Sequence, residues 1–365
     1  MTQDTRPPKV LIAARQSHIT EVEMIKGLRQ SGIDIHAAFE STSPQLQALQ
    51  DAGVPVRTLD LRSNADFRSA RRIRRWIKEE GFEIVHGLAN RPVANLIWAS
   101  YGLRNKVVAY RGTAGHVSRW DPTCYIKWLN PRINRIVCVS KAVERNLAAN
   151  GVSPDKLITI YKGQDLRWYA DLDPAKGRAA VDQEFGIPSG TLLIGMAANM
   201  RTVKGADLLL RALMELPDHV HGFFIGEVRD PIIDELARDR RISHRVHFTG
   251  FRPDAPQLAG ALDINVAPSR SREGLSKSVI EAMAQRIPTV VSDVGGLPEL
   301  LGEDGAQYVF PAGDSALFLE RLKSLVEAPH ERQQAGNQAR HRVETVFNLQ
   351  ATVEKTRKTY YDLVR

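Results

Sequence analysis

Cysteine is scarce in this chain of 365 residues: Cys124 and Cys138 are too few for a disulfide framework, so a reduced compartment is expected. Long apolar runs are missing too. Stretches such as Leu192–Ala198 are strand-sized, far below the roughly 20 residues that span a bilayer. The opening segment, Met1–Lys9, is polar and proline-bearing, without the apolar stretch of a signal peptide. No helix-turn-helix, RNP-like or zinc-finger pattern occurs, so no nucleic-acid partner is expected. No Ser/His/Asp or Cys/His arrangement marks a covalent nucleophile. These absences leave a cytoplasmic globular chain, with peripheral contact to the inner face of the cytoplasmic membrane as the further expectation.

Hydrophobic residues at 43% and charged residues at 25% are globular averages, and the length suits two domains. The net charge of +8 is uneven. Residues 1–165 hold 25 Lys and Arg against 15 Asp and Glu, whereas the remainder holds 25 against 27. The first half therefore seeks anionic surfaces.

In that half, short β-branched runs (Val10–Ala14, Ile33–Phe39, Val54–Asp60, Glu83–Leu88, Lys106–Arg111, Arg135–Ser140, Lys156–Tyr161) alternate with helical segments such as Thr20–Ser31 and Phe67–Glu80. A polar stretch, Gly163–Gly190, follows and is expected to hold the domain link. Alternation then resumes, with strands at Leu192–Ala198, Phe223–Gly226, Val246–Thr249, Ile264–Pro268 and Thr289–Asp293. From Asp314 onward the chain reads as helical. Such alternation predicts α/β architecture: parallel sheets covered on both faces, in two doubly wound domains, with ligands at the carboxyl ends of the strands.

The densest chemistry is Glu273-Gly274-Leu275-Ser276-Lys-Ser-Val-Ile-Glu281-Ala-Met-Ala, then Pro288-Thr-Val-Val-Ser-Asp293-Val-Gly295-Gly296-Leu-Pro298-Glu299. A strand ends in a polar loop, and Gly274 is expected to open a helix. The free amides of Leu275, Ser276 and Lys277 would then form an anion site suited to a diphosphate. Two carboxylates also suggest a hydrolase. However, eight helical residues cover roughly 12 Å, whereas a glycosidase pair stands about 5–9.5 Å apart. The spacing suits a longer ligand with a carboxylate near each end. A second phosphate element is Asn199-Met-Arg201-Thr-Val-Lys204-Gly205, whose cations would neutralise a departing diphosphate. Asp171-Leu-Asp173 lies in the inferred link and reads as loop, not as a metal site.

This constellation resembles the donor-site signature of family 4 glycosyltransferases. The likeness extends through Val246-His-Phe-Thr-Gly250-Phe251-Arg252, Leu262–Ser269, Val139–Val143 and Gly163-Gln-Asp165, and so spans nearly the whole chain. It implies a GT-B architecture, two Rossmann-like domains facing a central cleft. Residues 1–165 would bind acceptor, residues 166–345 would bind nucleotide sugar, and residues 346–365 would form a helix returning to the first domain. It further implies that Glu273 bonds the donor sugar, Glu281 the ribose, the amides of Leu275 and Ser276 the phosphates, and the Gly250-Phe251-Arg252 turn the base. Lys204 matches the family's diphosphate lysine. Asn199 stands where the family usually has arginine, with Arg201 displaced by two. Retention of configuration without a metal or cofactor is implied, the co-substrate being a nucleotide sugar, UDP-sugar favoured. The acceptor would be a lipopolysaccharide or surface polysaccharide. A phospholipid-type glycolipid acceptor, and a non-catalytic partner that only binds nucleotide sugar, are the alternatives.

Departures from the family gather in the first half. The loop after strand one, Ala14-Arg15-Gln16-Ser17-His18, lacks glycine and offers Arg15, Ser17 and His18 as side-chain donors. Arg111 replaces the family's acceptor-side histidine and is a fork for phosphate or carboxylate. His116 and Asp121 are candidates for proton handling, and His86 for packing or ligation. Residues 67–80 read as a basic amphipathic helix with Phe67, Ile73, Trp76 and Ile77 inward. With Trp120, Tyr125 and Trp128 expected to be exposed, that helix would dock on an anionic membrane surface.

Overall fold

A computed structural model of the chain describes residues 6–115 and 117–365. The chain forms two compact units. One comprises the chain up to Gly163 together with Leu349–Arg365; the other is Gln164–Asn348. The first division falls at the start of the polar stretch predicted to hold the link, and the rest of that stretch is ordered structure of the second unit. Asp173 caps the helix Pro174–Phe185 there, accepting from the amides of Ala175 and Lys176.

The first unit is built on β1 (Lys9–Ala13), β2 (Asp34–Phe39), β3 (Val56–Thr58), β4 (Ile84–Gly87), β5 (Lys106–Arg111), β6 (Arg135–Cys138) and β7 (Leu157–Thr159). Their order is β3-β2-β1-β4-β5-β6-β7, all parallel. β1 and β4 are almost continuously buried because helices cover both faces. The last helix, Leu349–Val364, belongs to this unit: Tyr360 is fully buried and its hydroxyl lies 2.7 Å from Nδ1 of His86. His86 is thus a packed histidine, and burial pushes its pKa down to about 3.

The second unit holds β8 (Leu192–Ala197), β9 (Val220–Ile225), β10 (Val246–Phe248), β11 (Ile264–Ala267), β12 (Thr289–Ser292) and β13 (Val309–Phe310). The order β10-β9-β8-β11-β12-β13 is again parallel throughout. β13 carries only two residues, too few for a period-2 pattern, and the sequence does not announce it. In each sheet the order reverses beside its first strand, which opens a crevice at the strand ends. No helix among the described residues is long and apolar enough to cross a membrane.

Two expectations about side chains and one about a helix start are corrected. Phe67 is 65% exposed, so the buried face of the helix Phe67–Glu80 is Ala70, Ile73 and Ile77. Trp128 is buried, only 4% exposed, while Trp120 and Tyr125 are exposed. The helix after β11 runs Lys277–Ala284 with Ser276 as its N-cap, so Gly274 lies in the preceding loop and does not open the helix.

Candidate active site

The site builds from the two loops at the switch point of the second sheet, one after β8 and one after β11. They are laced by backbone and by an ion pair whose carboxylate is buried. The amide of Arg270 donates to Val203 O at 2.9 Å, and its guanidinium grips Asp207 through two 2.7 Å bonds. Gly205, at φ +78°, lies so close that a Cβ there would sit 2.0 Å from Pro268 O. Gly295, at φ +59°, packs in the same way against Glu273 O, where a Cβ would again stand at 2.0 Å. Ser292 Oγ donates to Ser269 O at 2.6 Å. Arg272 adopts φ +62°, a conformation costing an L residue about 1–2 kcal/mol, and it directly precedes Glu273.

Glu273 is 8% exposed. Its Oε1 accepts from Ser269 Oγ at 2.9 Å and pairs closely with the ammonium of Lys204, which comes from the short turn Thr202–Lys204 after β8. Beside this pair begins the helix Lys277–Ala284. Its first-turn amides have no intrahelical acceptor, and Ser276 makes no side-chain cap bond to them. The later start places the helix's free amides after Ser276, rather than at Leu275 and Ser276. Of the span from Glu273 to Glu281, only Lys277 to Glu281 is helical, so the helix-length argument for the carboxylate spacing does not apply. Glu281 is buried and pairs with Lys277 at 2.9 Å. The Tyr169 phenol is raised by burial and then by the charge of Glu281; its hydroxyl donates to Gln164 Oε1 at 3.1 Å. Glu281 therefore has charged and polar company.

Arg201 is exposed at the start of the Lys204 turn. Nearby Asp230 accepts from Thr202 Oγ1 at 2.8 Å and from its amide at 3.2 Å; these bonds, with Arg201 a lesser cause, hold its carboxyl below the usual range. Asn199 is exposed. Gly226 and Gly250 form an isolated bridge that ties the ends of β9 and β10. Beyond it Phe251 is 76% exposed and offers an open ring face. The Arg252 guanidinium is engaged by Asp254 and Glu184. The structure thus joins Lys204, Ser269 and Glu273 in direct contact, with Lys277 and Glu281 as a second pair one turn into the helix.

In the first unit Arg15 Nε lies 2.5 Å from Glu40. Ser17 is half-buried, and the amide of His18 donates to Glu21 at 2.7 Å as the helix Ile19–Gln30 begins. Arg111 closes β5 at 7% exposure, its guanidinium 4.6 Å from the Trp128 ring centroid. Among the described residues no carboxylate pairs with it, and its Nε is buried without a partner. Burial lowers its pKa. Asp121 accepts from the amide and hydroxyl of Thr123 at 2.9 and 2.7 Å, capping the turn Pro122–Ile126. His116 lies outside the described residues.

The Arg270–Asp207 clamp, the contacts at Gly205 and Gly295 and the positive φ of Arg272 escape a reading of the sequence. Lys204-Gly205 and Gly295-Gly296 were the signals available, since glycine at a strand end marks close approach of backbones.

Two tandem doubly wound sheets, the second with a lysine–carboxylate pair at its switch point, define the GT-B class. The family described as "Glycosyl transferases group 1" matches residues 178–342, and that described as "Glycosyltransferase Family 4" matches residues 20–168. The chain belongs to the family 4, group 1 glycosyltransferases of GT-B type. Among relatives, it is 29% identical over 253 residues to "Lipopolysaccharide core biosynthesis mannosyltransferase LpcC" of Rhizobium leguminosarum bv. viciae, covering 66% of this chain and 68% of that protein. It is 23% identical to "UDP-Gal:alpha-D-GlcNAc-diphosphoundecaprenol alpha-1,3-galactosyltransferase" of Escherichia coli, across 91% of this chain and 89% of that one. Other relatives are matched over 50% to 65% of their own length. The Anabaena protein Alr3699/HepE, solved in complex with UDP, superposes with a TM-score of 0.82 at 17% identity, over 97% of this chain and 100% of that one. At that identity the likeness establishes the fold.

Proposed function

We propose that this chain is a retaining glycosyltransferase that moves a hexose-type sugar from a nucleotide-sugar donor to a lipopolysaccharide or surface-polysaccharide acceptor. The observation that carries the reading is the Lys204–Glu273 pair beside the uncapped first turn of the helix Lys277–Ala284. Breaking a sugar–phosphate bond builds positive charge at the anomeric carbon and negative charge on the leaving diphosphate. Preorganised donors aimed at the leaving group lower that barrier. Lys204, the helix amides and Arg201 supply them without a metal, and diphosphate entry would draw Lys204 from Glu273 and free that carboxylate for sugar hydroxyls. A UDP-sugar is favoured: the E. coli relative is named for UDP-Gal and the Anabaena structure holds UDP. The lipopolysaccharide core name of the Rhizobium relative supports the acceptor class. Peripheral attachment at the inner face of the cytoplasmic membrane suits such an acceptor.

Thermal shift with UDP-, GDP- and ADP-sugars tests the donor, since a bound ligand raises the melting temperature by mass action. Donor turnover is expected to fall about 10²–10³-fold in Glu273→Ala. Donor binding with no turnover of any common nucleotide sugar would favour a non-catalytic binding partner instead.

A further inference from the structure

A groove of about 640 Å³ in the first unit is lined by Arg62, Arg68, Arg71, Arg72 and Arg75. None of these five arginines pairs with a carboxylate among the described residues. The two acids at the groove are engaged elsewhere: Asp60 accepts from the amide and hydroxyl of Ser41, and Asp66 caps the helix through Ser69. Nearby arginines with structural work are all partnered. Arg57 is paired with Glu80, and Arg74 donates to the carbonyls of Ala99 and Tyr101. Arg72 donates to Thr58 O and lies 5.0 Å from the Trp76 ring centroid, and Arg62, after the Ser69 bonds, helps to hold the Asp66 carboxyl low, so the positive charge surplus to the fold is that of Arg68, Arg71 and Arg75.

Beside it stands an aromatic ridge. Phe67, Trp98 and Tyr101 are 65%, 36% and 42% exposed, and successive ring centroids lie 5.5 and 5.9 Å apart. At about 100° per helical residue, Arg68, Arg71, Arg72 and Arg75 fall within an arc of roughly 100°, and Phe67 borders it about 40° away. The bonds from Arg74 to Ala99 O and Tyr101 O, with that from the Asp66 amide to Asn95 Oδ1 at 3.0 Å, fix the ridge to the basic helix as one platform.

We propose that this groove and ridge form the surface on which the chain docks to a phospholipid bilayer, the arginines taking headgroup phosphates and the rings settling at headgroup level. Cations alone would serve a soluble phosphate, but the rings would then stay in water. A bilayer interface accepts both, since amphipathic rings favour the headgroup region and anionic lipid attracts the arginines. The proposal deepens the envelope-acceptor reading by stating how the chain reaches its acceptor, and the two fail separately.

Co-sedimentation of the full chain with vesicles of phosphatidylcholine, alone or with phosphatidylglycerol, provides the test. Binding is expected only with phosphatidylglycerol and should weaken as salt rises. Arg68→Gln/Arg71→Gln/Arg75→Gln should weaken it by about fivefold per arginine, on the order of a hundredfold in all, with unchanged melting temperature and donor turnover. Brominated acyl chains should quench tryptophan fluorescence, and Trp98→Phe should remove that quenching. Absence of vesicle binding, or equal binding by the triple variant, overturns the proposal. So does tight binding of inositol hexakisphosphate without vesicle binding, which would mark a soluble-anion site. Vesicle binding by a chain with no donor turnover would leave the docking surface standing and remove the transferase reading.

Discussion

In the unit built on β8–β13, the loops at the switch point meet through glycine: a Cβ on Gly205 or Gly295 would stand 2.0 Å from the carbonyl oxygen of Pro268 or Glu273. In the unit built on β1–β7, the loop after the first strand, Ala14–His18, has no glycine, and its Arg15 reaches Glu40 with a long side chain. The two sheets share the same reversal of strand order. One switch point presents backbone amides and a short lysine–carboxylate contact. The other presents Arg15, paired with Glu40; away from that switch point, at the end of β5, Arg111 is buried with no carboxylate partner among the described residues. Backbone at close quarters gives a rigid cradle of fixed geometry, as a constant ligand part such as a diphosphate requires. Side chains on a common frame vary freely, as recognition of one particular acceptor requires.

The largest break in that comparison is expected from Gly295→Ala. The new methyl meets Glu273 O, and alanine is held at positive φ at a cost of about 1–2 kcal/mol. Displacing Glu273 by an ångström should lower donor turnover on the order of 10²-fold. Turnover within twofold of wild type would show that the close approach is not what positions Glu273. Next comes Arg111→Met. Because a buried cation without a counter-ion is costly, stability should stay level or rise, whereas acceptor KM should increase roughly tenfold with donor KM unchanged. A large fall in melting temperature would instead make Arg111 a structural residue.

The smallest effect sharpens the comparison through pH. Burial holds His86 neutral in the first unit, at about 3, and His221 in the second at about 4. In the unfolded chain histidine titrates near 6.5. Between the folded and unfolded values the unfolded state binds the extra proton, so stability is lost as pH falls from about 6.5 towards those lower values. At pH 5.5 each site costs about 1.4 kcal/mol, which is a few degrees of melting temperature. His86→Gln should flatten the part of the acid limb that belongs to the first unit; an unchanged limb in thermal melts would reject the assignment.

Much of this was legible in the linear sequence. Alternating β-branched runs predict most of the thirteen strands among the described residues to within a few residues, because a buried parallel strand must be apolar nearly throughout. Glu273, Lys204 and Glu281 stood out because their spacing follows a strand, loop and helix in order. The helix start was misjudged because Gly274 resembles a beginning in sequence, while the backbone delays the first turn to Lys277. Phe67 and Trp128 were misplaced for a common reason: an aromatic residue near charges has no periodic signature saying whether its neighbours cover it. Phe67 lies beside Trp98 on the surface, and Trp128 lies under Arg111.

The sequence by itself determined the α/β alternation and the uneven charge, since each depends on local pattern and composition, and its motifs carried the family resemblance. The tertiary structure alone decided which cations are satisfied. Arg270 finds Asp207 across 63 positions and Arg57 finds Glu80 across 23, while Arg111 and the groove arginines find no carboxylate among the described residues. Pairing depends on distances in space that only the closing of the sheets creates, and the Coulomb energy that separates a structural cation from a binding one falls away over a few ångströms.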